Sequence, residues 1–355
     1  MAVSFQHLVY PFSAVVGQSE LKLALLLNAI NPKIGGLLVR GQKGTGKSTA
    51  VRALADLLLD ITVVKNCPFN CSPNDPTNMC PDCLEKYQAG DALEAESRKM
   101  GVVSLPIGAT EDRVIGSLDI EKAIGHGVRA LQPGLLAEAN QNILYIDEVN
   151  LLPDHITDSI LDAAASGWNI VEREGVSVAH PSRFILIGTM NPEEGELRPQ
   201  LADRFALHIS VESIYDQEQR VEIIHRNLEF GEDPVKFSEK WSEEQEKLTG
   251  QILQAKDLLN IVEVQEWIMR GVASACIRLH LDGHRPDITT IRAAKTLSAL
   301  EGRKAVLAED ALKVANMAVG FRTRGGGFEE PATPAEIRDT FADALRRAQA
   351  EATAK

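Results

Sequence analysis

One eight-residue run limits what this chain can fold into more than any other feature. Gly41-Gln42-Lys43-Gly44-Thr45-Gly46-Lys47-Ser48 reads G-x-x-x-x-G-K-S. It follows the apolar run Gly36 to Arg40 and precedes Thr49 to Leu59, where apolar residues recur at helical spacing. Strand, glycine loop and helix, in that order, is the context in which such a loop cradles phosphates. The glycines let the backbone curl so that successive N–H groups face phosphate oxygens. The helix start adds partial positive charge. Lys47 is expected to reach the β- and γ-phosphates of ATP and Ser48 to ligate Mg²⁺, with Thr49 completing the nucleotide-binding run. With motif and context both satisfied, a plain glycine turn is the weaker reading.

A second apolar strand, Asn142 to Ile146, ends in Asp147-Glu148. After a phosphate loop, Asp147 is expected to hold the Mg²⁺ shell and Glu148 to orient and deprotonate the attacking water. Two adjacent acids repel each other unless a metal relieves them. A third run, Phe184 to Gly188, leads into Thr189-Met190-Asn191-Pro192. Continuous apolar runs of this length fit central strands of a parallel sheet covered on both faces. Trp168 to Val171 and Val176 to Ala179 flank Glu172-Arg173-Glu174-Gly175, which predicts a β-hairpin.

The expected organisation is an α/β nucleotide-binding core over 1–212 and a charged helical linker over 213–265. A smaller all-α domain over 266–322 follows, then a glycine-rich break and a helix over 323–355. The linker is expected to hold two helices. A length of 355 residues suits about two domains. A net charge of −13 argues weakly against a nucleic-acid partner. No apolar run approaches a bilayer-spanning length. Met1 to Tyr10 lacks the pattern of a secretory signal. No membrane insertion is expected, and the compartment is expected to be cytoplasmic.

Four of the five cysteines fall within residues 67–83. Cys67, Cys71, Cys80 and Cys83 are spaced C-x3-C-x8-C-x2-C, which suits one tetrahedral thiolate site. Zinc leads, an iron–sulfur cluster is the runner-up, and a thiol switch is the other option. The proposed role is to pin the excursion between Val64 and Tyr87. Cys276 reads as core.

These motifs resemble those of the AAA+ ATPases. That resemblance implies a polar sensor at Asn191. It also implies an arginine finger at Arg204, within Glu196-Leu197-Arg198-Pro199-Gln200-Leu201-Ala202-Asp203-Arg204-Phe205. A finger acts on a neighbour's nucleotide, hence in a ring; the bland alternative is an ion pair of Arg204 with Asp203 or Glu196. Further stretches narrow the likeness: Pro11 to Gln18, Gly108 to Arg113, Gln132 to Leu136, Gly167-Trp168-Asn169 and Asn191 to Leu201. In this order, from about Pro11 to Leu307, they resemble the small ATPase subunits of magnesium chelatases. The resemblance implies Val16 near the adenine, an insertion in the second helix within 102–130, and another at the Trp168 to Ala179 hairpin. It implies a second sensor arginine, Arg285, with Arg292 as competitor. It implies a hexameric or similar ring, a larger AAA+ partner with an integrin-type domain, and a large porphyrin-binding subunit. The activity implied is ATP-driven Mg²⁺ insertion into protoporphyrin IX, in chlorophyll or bacteriochlorophyll synthesis. The chain is expected to be the short subunit, without room for an integrin-type domain. The competing expectations are an AAA+ ATPase serving another chelatase, such as a cobalt one, or remodelling another metalloenzyme. A DNA-translocating ring is disfavoured by the acidic charge.

Overall fold

The computed structural model describes residues 9–118, 131–173, 176–323 and 332–354. Its first half alternates helix and strand: α1 (Ser19–Ile30), β1 (Leu37–Gly41), α2 (Lys47–Leu57), β2 (Ile61–Val64), α3 (Pro81–Ala89), β3 (Ala95–Arg98) and β4 (Val102–Leu105). Next come α4 (Glu111–Ile115), β5 (Gly116–Leu118), β6 (Leu131–Pro133), α5 (Leu135–Glu138), β7 (Ile143–Ile146) and α6 (Asp154–Ser166). The half closes with β8 (Trp168–Arg173), β9 (Val176–Pro181), β10 (Ile185–Met190), the short α7 (Pro199–Ala202) and β11 (Leu207–Val211).

Five of these strands form one parallel sheet in the order β11-β1-β10-β7-β4. Every residue of β7 and β10 is buried, as expected for strands covered on both faces. At Gly188 an added Cβ would lie 3.0 Å from the Phe205 ring, so the missing side chain lets that ring close over the sheet.

Two strands of the sheet were not anticipated. Residues 102–105 were expected to open the second-helix insertion. They form the edge strand β4 instead, with Val102 opposite Ile143 and Leu105 opposite Ile146. Only alternate residues of β4 are buried, which fits an edge. Beyond it come α4 and the antiparallel pair β5–β6; the rest of the expected insertion, 119–130, lies outside the described residues. β11 is the other, paired with β1 from Leu37–Leu207 to Gly41–Val211. The Trp168 hairpin forms with Trp168 opposite Pro181 and Arg173 opposite Val176. Its turn residues Glu174 and Gly175 are outside the described set, as is the break at Gly325 to Gly327.

The second half is helical: α8 (Gln217–Glu232), α9 (Pro234–Lys240), α10 (Ser242–Leu258), α11 (Glu266–Arg278), α12 (Arg285–Leu300), α13 (Ala308–Val319) and α14 (Pro334–Thr353). The linker holds three helices where two were expected. Asp233 caps Lys236 N–H and Pro234 starts α9, so the chain restarts there. Trp241 then separates α9 from α10. The short stretch after Lys304 makes a single bridge, Ala305 to Glu263. Ile337, Phe341, Ala344 and Leu345 of α14 are buried. A Cβ at Gly271 of α11 would lie 2.7 Å from Leu345, so α14 seats where that glycine leaves room. The helical half docks on the core through Asn31 Nδ2 donating to Thr296 Oγ1 at 3.0 Å and Arg292 donating to the Lys33 carbonyl at 2.6 Å.

Candidate nucleotide site and cysteine cluster

Strands β1, β10 and β7 are neighbours, so their carboxyl ends lie side by side, where open parallel sheets hold ligands. β1 delivers the loop 41–48, β7 delivers Asp147 and Glu148, and β10 delivers Thr189 and Asn191. Gly44 and Gly46 have φ of +80° and +79°, with no neighbouring atom within 4 Å of an added Cβ. They are there for backbone curl, and the space beside them is open to a phosphate.

Lys47 is buried, and its ammonium donates to the carbonyls of Gly41 and Gln42, both at 2.6 Å. Burial pulls its pKa down, while Asp147, Glu148 and Glu194 push it back up. Tyr145 OH lies 3.2 Å from Ser48 Oγ and 3.0 Å from Asp147 Oδ1. Thr189 Oγ1 donates to Asp147 Oδ1 at 2.6 Å and accepts the Glu148 N–H at 3.2 Å. Asp147 therefore accepts from two hydroxyls, which fix its orientation. Burial pushes the Tyr145 phenol up, keeping it protonated. The hydroxyl of Ser48 and the carboxylate of Asp147 are hard oxygen donors, a set that fits Mg²⁺.

Glu148 sits at φ 55°, ψ 56°, an uncommon conformation for a non-glycine residue and typical of functional sites. Lys43 pairs with it at 3.2 Å and with Glu194 at 2.5 Å. These acids, Glu194 first, raise the Lys43 pKa. Asn191 is buried and its Oδ1 accepts the Glu193 N–H at 3.3 Å. Gln42 donates to Glu193 at 3.2 Å and Arg40 to Glu196 at 2.6 Å. The segment after Asn191 thus clasps the phosphate loop. Thr189 and Tyr145 were not anticipated, because Thr189 meets Asp147 and Tyr145 meets Ser48 only in the folded core.

Val16 lines a cavity of about 540 Å³ beside the loop, together with Gly44, Thr45, Gly46 and Thr49. Ile214, Ile223 and Ile224 supply its opposite, apolar wall. This is room and chemistry for a flat base. Gln18 donates to the Thr45 carbonyl, tying Val16's segment to the loop.

The arginines divide differently from expectation. Arg204 pairs with Asp162 at 2.5 Å and Asp158 at 3.6 Å, not with Asp203 or Glu196. Arg285 reaches Asp203, with hydrogen bonds to its carbonyl and carboxylate at 2.9 and 3.3 Å. Arg292 binds Lys33, as described above. Arg322, not singled out by the sequence, is buried against the same Asp203.

Cys67, Cys71, Cys80 and Cys83 converge, with their sulfurs all within 4.8 Å of one another. Contacts with Cys71, Cys80 and Cys83 pull the Cys67 thiol down, and the same crowding pushes Cys71 and Cys83 up. Cys276 is a buried core thiol pushed up to about 12 by burial.

A parallel-sheet core with a phosphate loop, an acidic strand end and a helical lid defines an AAA+ ATPase. The AAA domain family (dynein-related subfamily) matches residues 89–205, and the AAA lid domain family matches 269–341. The chain is 58% identical to "Magnesium-chelatase subunit ChlI homolog" of Methanocaldococcus jannaschii, over 91% of this chain and 88% of that protein. It is 53% identical to "Magnesium-chelatase subunit ChlI, chloroplastic" of Oryza sativa subsp. japonica, over 91% and 78%. The chain belongs to the magnesium-chelatase ChlI/BchI family of AAA+ ATPase subunits. Among solved structures, a chain from a cryo-EM-based complex of BchI and BchD of magnesium chelatase matches at TM-score 0.54 and 44% identity, covering 94% of this chain and 99% of that one. A putative ATPase from Cytophaga hutchinsonii shares the fold at TM-score 0.59 and 17% identity, over 94% and 91%. Among the described residues no helix is long and apolar enough to cross a membrane.

Proposed function

We propose that this chain is the ATP-hydrolysing motor of a magnesium chelatase, driving Mg²⁺ insertion into protoporphyrin IX. The observation that carries the reading is the convergence of the phosphate loop, Asp147, Glu148, Thr189 and Asn191 at adjacent strand ends beside an apolar cavity. The names of the relatives supply the magnesium chelatase, and the resemblance of the motifs supplies protoporphyrin IX.

In this reading ATP lies with its base against Val16 and its phosphates over Gly44 to Ser48. Lys47 turns from its own loop carbonyls to the β- and γ-phosphates. Ser48 and Asp147 hold the Mg²⁺ that comes with the nucleotide. Glu148, freed from Lys43, orients the attacking water and takes its proton. Asn191 positions that water or the γ-phosphate. Arg204 leaves Asp162 to stabilise charge on a neighbour's nucleotide, which requires a ring, hexameric by resemblance. Arg285 reports the state of the site to the helical domain through Asp203. Hydrolysis changes the angle between the two domains, a hinge motion.

The partners in this reading are copies of the chain, a larger subunit like the one in the BchI–BchD complex, and a porphyrin-binding subunit. The compartment is the cytosol or its equivalent; the rice relative is named chloroplastic. A zinc ion in the cysteine cluster completes the cofactors. A second reading, service to another chelatase or metalloenzyme, draws on the 58%-identical relative being named only as a homolog.

The test is ATP-dependent metal insertion in a mixture of this chain, both partner subunits, Mg²⁺ and protoporphyrin IX, followed by fluorescence. Mg-protoporphyrin should form, and Lys47→Ala should abolish it. ATP turnover without that product, with partners proven active, would overturn the magnesium reading and favour the second.

A further inference from the structure

We infer that Cys67, Cys71, Cys80 and Cys83 bind a single tetrahedral Zn²⁺ that staples both insertions to the strand carrying Asp147. This rests on the metal reading of the cysteines and is independent of the ATPase reading.

The sulfur spacing selects one ion over a cluster. With Zn–S bonds of about 2.3 Å, tetrahedral sulfurs stand about 3.8 Å apart. Cys67 Sγ lies 3.6 Å from Cys83 Sγ and 4.0 Å from Cys80 Sγ, and no pair exceeds 4.8 Å. A four-iron cluster seats each thiolate on a different iron and needs a wider spread. The backbone is shaped for the same end. Asn66 and Asn70, each just before a cysteine, have φ of 60° and 49°. Each left-handed residue turns the chain immediately ahead of a cysteine. The Cys80 N–H points at Cys71 Sγ at 3.0 Å, tying the two halves of the cluster together. Cys71, Cys80 and Cys83 are buried and Cys67 is half-buried, so three of the four sulfurs are shielded from water.

Between Lys65 and Cys80 the only regular piece among these residues is the turn Pro76–Asn78. A segment that irregular inside a domain needs a staple to stay ordered. β2 and β3 close its neck, with Lys65 N–H on the Glu94 carbonyl at 2.8 Å.

What the staple holds is visible in its contacts. The Phe69 ring stacks on His180 of β9 at 4.9 Å. His180 Nε2 pairs with Asn169 Nδ2 of β8 at 2.9 Å, and Asn169 Nδ2 also donates to the Ile115 carbonyl at 2.8 Å. The hairpin and the entry to the helix-2 insertion are therefore one unit with the cysteine loop. On the other side, Asn140 Nδ2 donates to the carbonyls of Phe69 and Asn70 at 2.9 and 3.1 Å, two residues ahead of the Asn142 that leads β7. Asn70 Nδ2 returns a bond to the Glu138 carbonyl at 2.9 Å. A shift at β7 is passed to both insertions through this loop.

The test begins with metal analysis of the intact protein purified anaerobically in reductant. A single zinc per chain is expected, and Co²⁺ exchanged into it should show a tetrahedral thiolate spectrum. Iron, or a metal-free protein with intact ATP turnover, would overturn the assignment. Zinc is then removed from the wild-type chain by a thiol-reactive chelation procedure, and hydrogen exchange is followed in β8 and β9. Their amides should exchange about tenfold faster or more, while α2 keeps its protection. Cys80→Ser/Cys83→Ser should reproduce this. If zinc is present but its removal leaves the hairpin's exchange unchanged, the ion is bound and the staple is refuted. ATP binding is a separate readout and should survive zinc loss.

Discussion

Arg322 Nε donates to Asp203 Oδ1 at 2.7 Å, joining the helical half to the residue just before Arg204. The other guanidinium donors reach the carbonyls of Asp203 and Phe205, both at 3.0 Å, and of Ala206 at 3.2 Å. Arg285 shares the same carboxylate from an exposed position. Asp203 thus faces the helical half while Arg204 faces α6, so one dipeptide contacts both the lid and the core.

Arg322→Ala should destabilise the protein by about 2–4 kcal/mol, because it leaves several core acceptors without a donor. Arg285→Ala removes a half-exposed pair and should cost less than about 1 kcal/mol. Thermal melting of the two variants checks the ranking. Equal losses would mean that Asp203, rather than the buried guanidinium, carries the contact.

Thr189→Val should raise the Mg²⁺ concentration needed for ATP turnover. The valine keeps the shape but strips Asp147 of a donor and Glu148 N–H of its acceptor. The unsatisfied groups should also cost about 1–3 kcal/mol of stability. Thr189→Ser should restore both, and a Mg²⁺ titration of turnover distinguishes the variants.

Lys43→Ala should loosen the tie between Glu148 and Glu194. If that pair holds the empty site at rest, the variant's turnover should respond less steeply to ATP, with nucleotide affinity changed little. Glu148→Gln should bind ATP and hydrolyse it poorly. Mixing Glu148→Gln with Arg204→Ala subunits should recover part of the activity if the finger acts on a neighbour; a mixture no better than its components would remove Arg204 from that role.

His208 is buried, donates its Nε2–H to the Ala202 carbonyl at 2.9 Å, and stacks on Phe321. Burial first, then Arg322 and Arg40, holds its pKa well below the ordinary 6.5, against the pull of the Ala202 and Phe205 carbonyls. The unfolded chain therefore takes up a proton near pH 6.5 that the folded chain refuses. Stability from this group is complete above that pH and declines as pH falls below it, by up to about 1.4 kcal/mol per unit. His208→Phe should flatten the slope between pH 6.5 and 5 by that amount, read from denaturant unfolding at each pH.

The parts of the site that sequence made visible are those written along the chain. Gly41 to Ser48 and Asp147-Glu148 carry their meaning in adjacent residues, and the buried strands β1, β7 and β10 are continuous apolar runs. β4 was illegible because Val102–Leu105 is short and half-exposed, and a local pattern cannot say which strand it will join. Thr189, Tyr145 and Arg322 were illegible for a related reason. Asp147 for Thr189, Ser48 for Tyr145 and Asp203 for Arg322 are partners that only the folded sheet and the docked lid bring together. The four cysteines were read from spacing, but what their loop grips, His180 and Asn140, was not.

The Lys47 ammonium donates to the carbonyls of Gly41 and Gln42, so its charge has partners within its own loop. Nucleotide binding is therefore an exchange of partners and not the filling of an unmet charge. A lone phosphate offers little to displace two carbonyls, whereas a triphosphate with its base in the neighbouring cavity brings several contacts at once. In the proposed reading, the preference for ATP over small anions rests on how firmly its own loop holds the Lys47 ammonium.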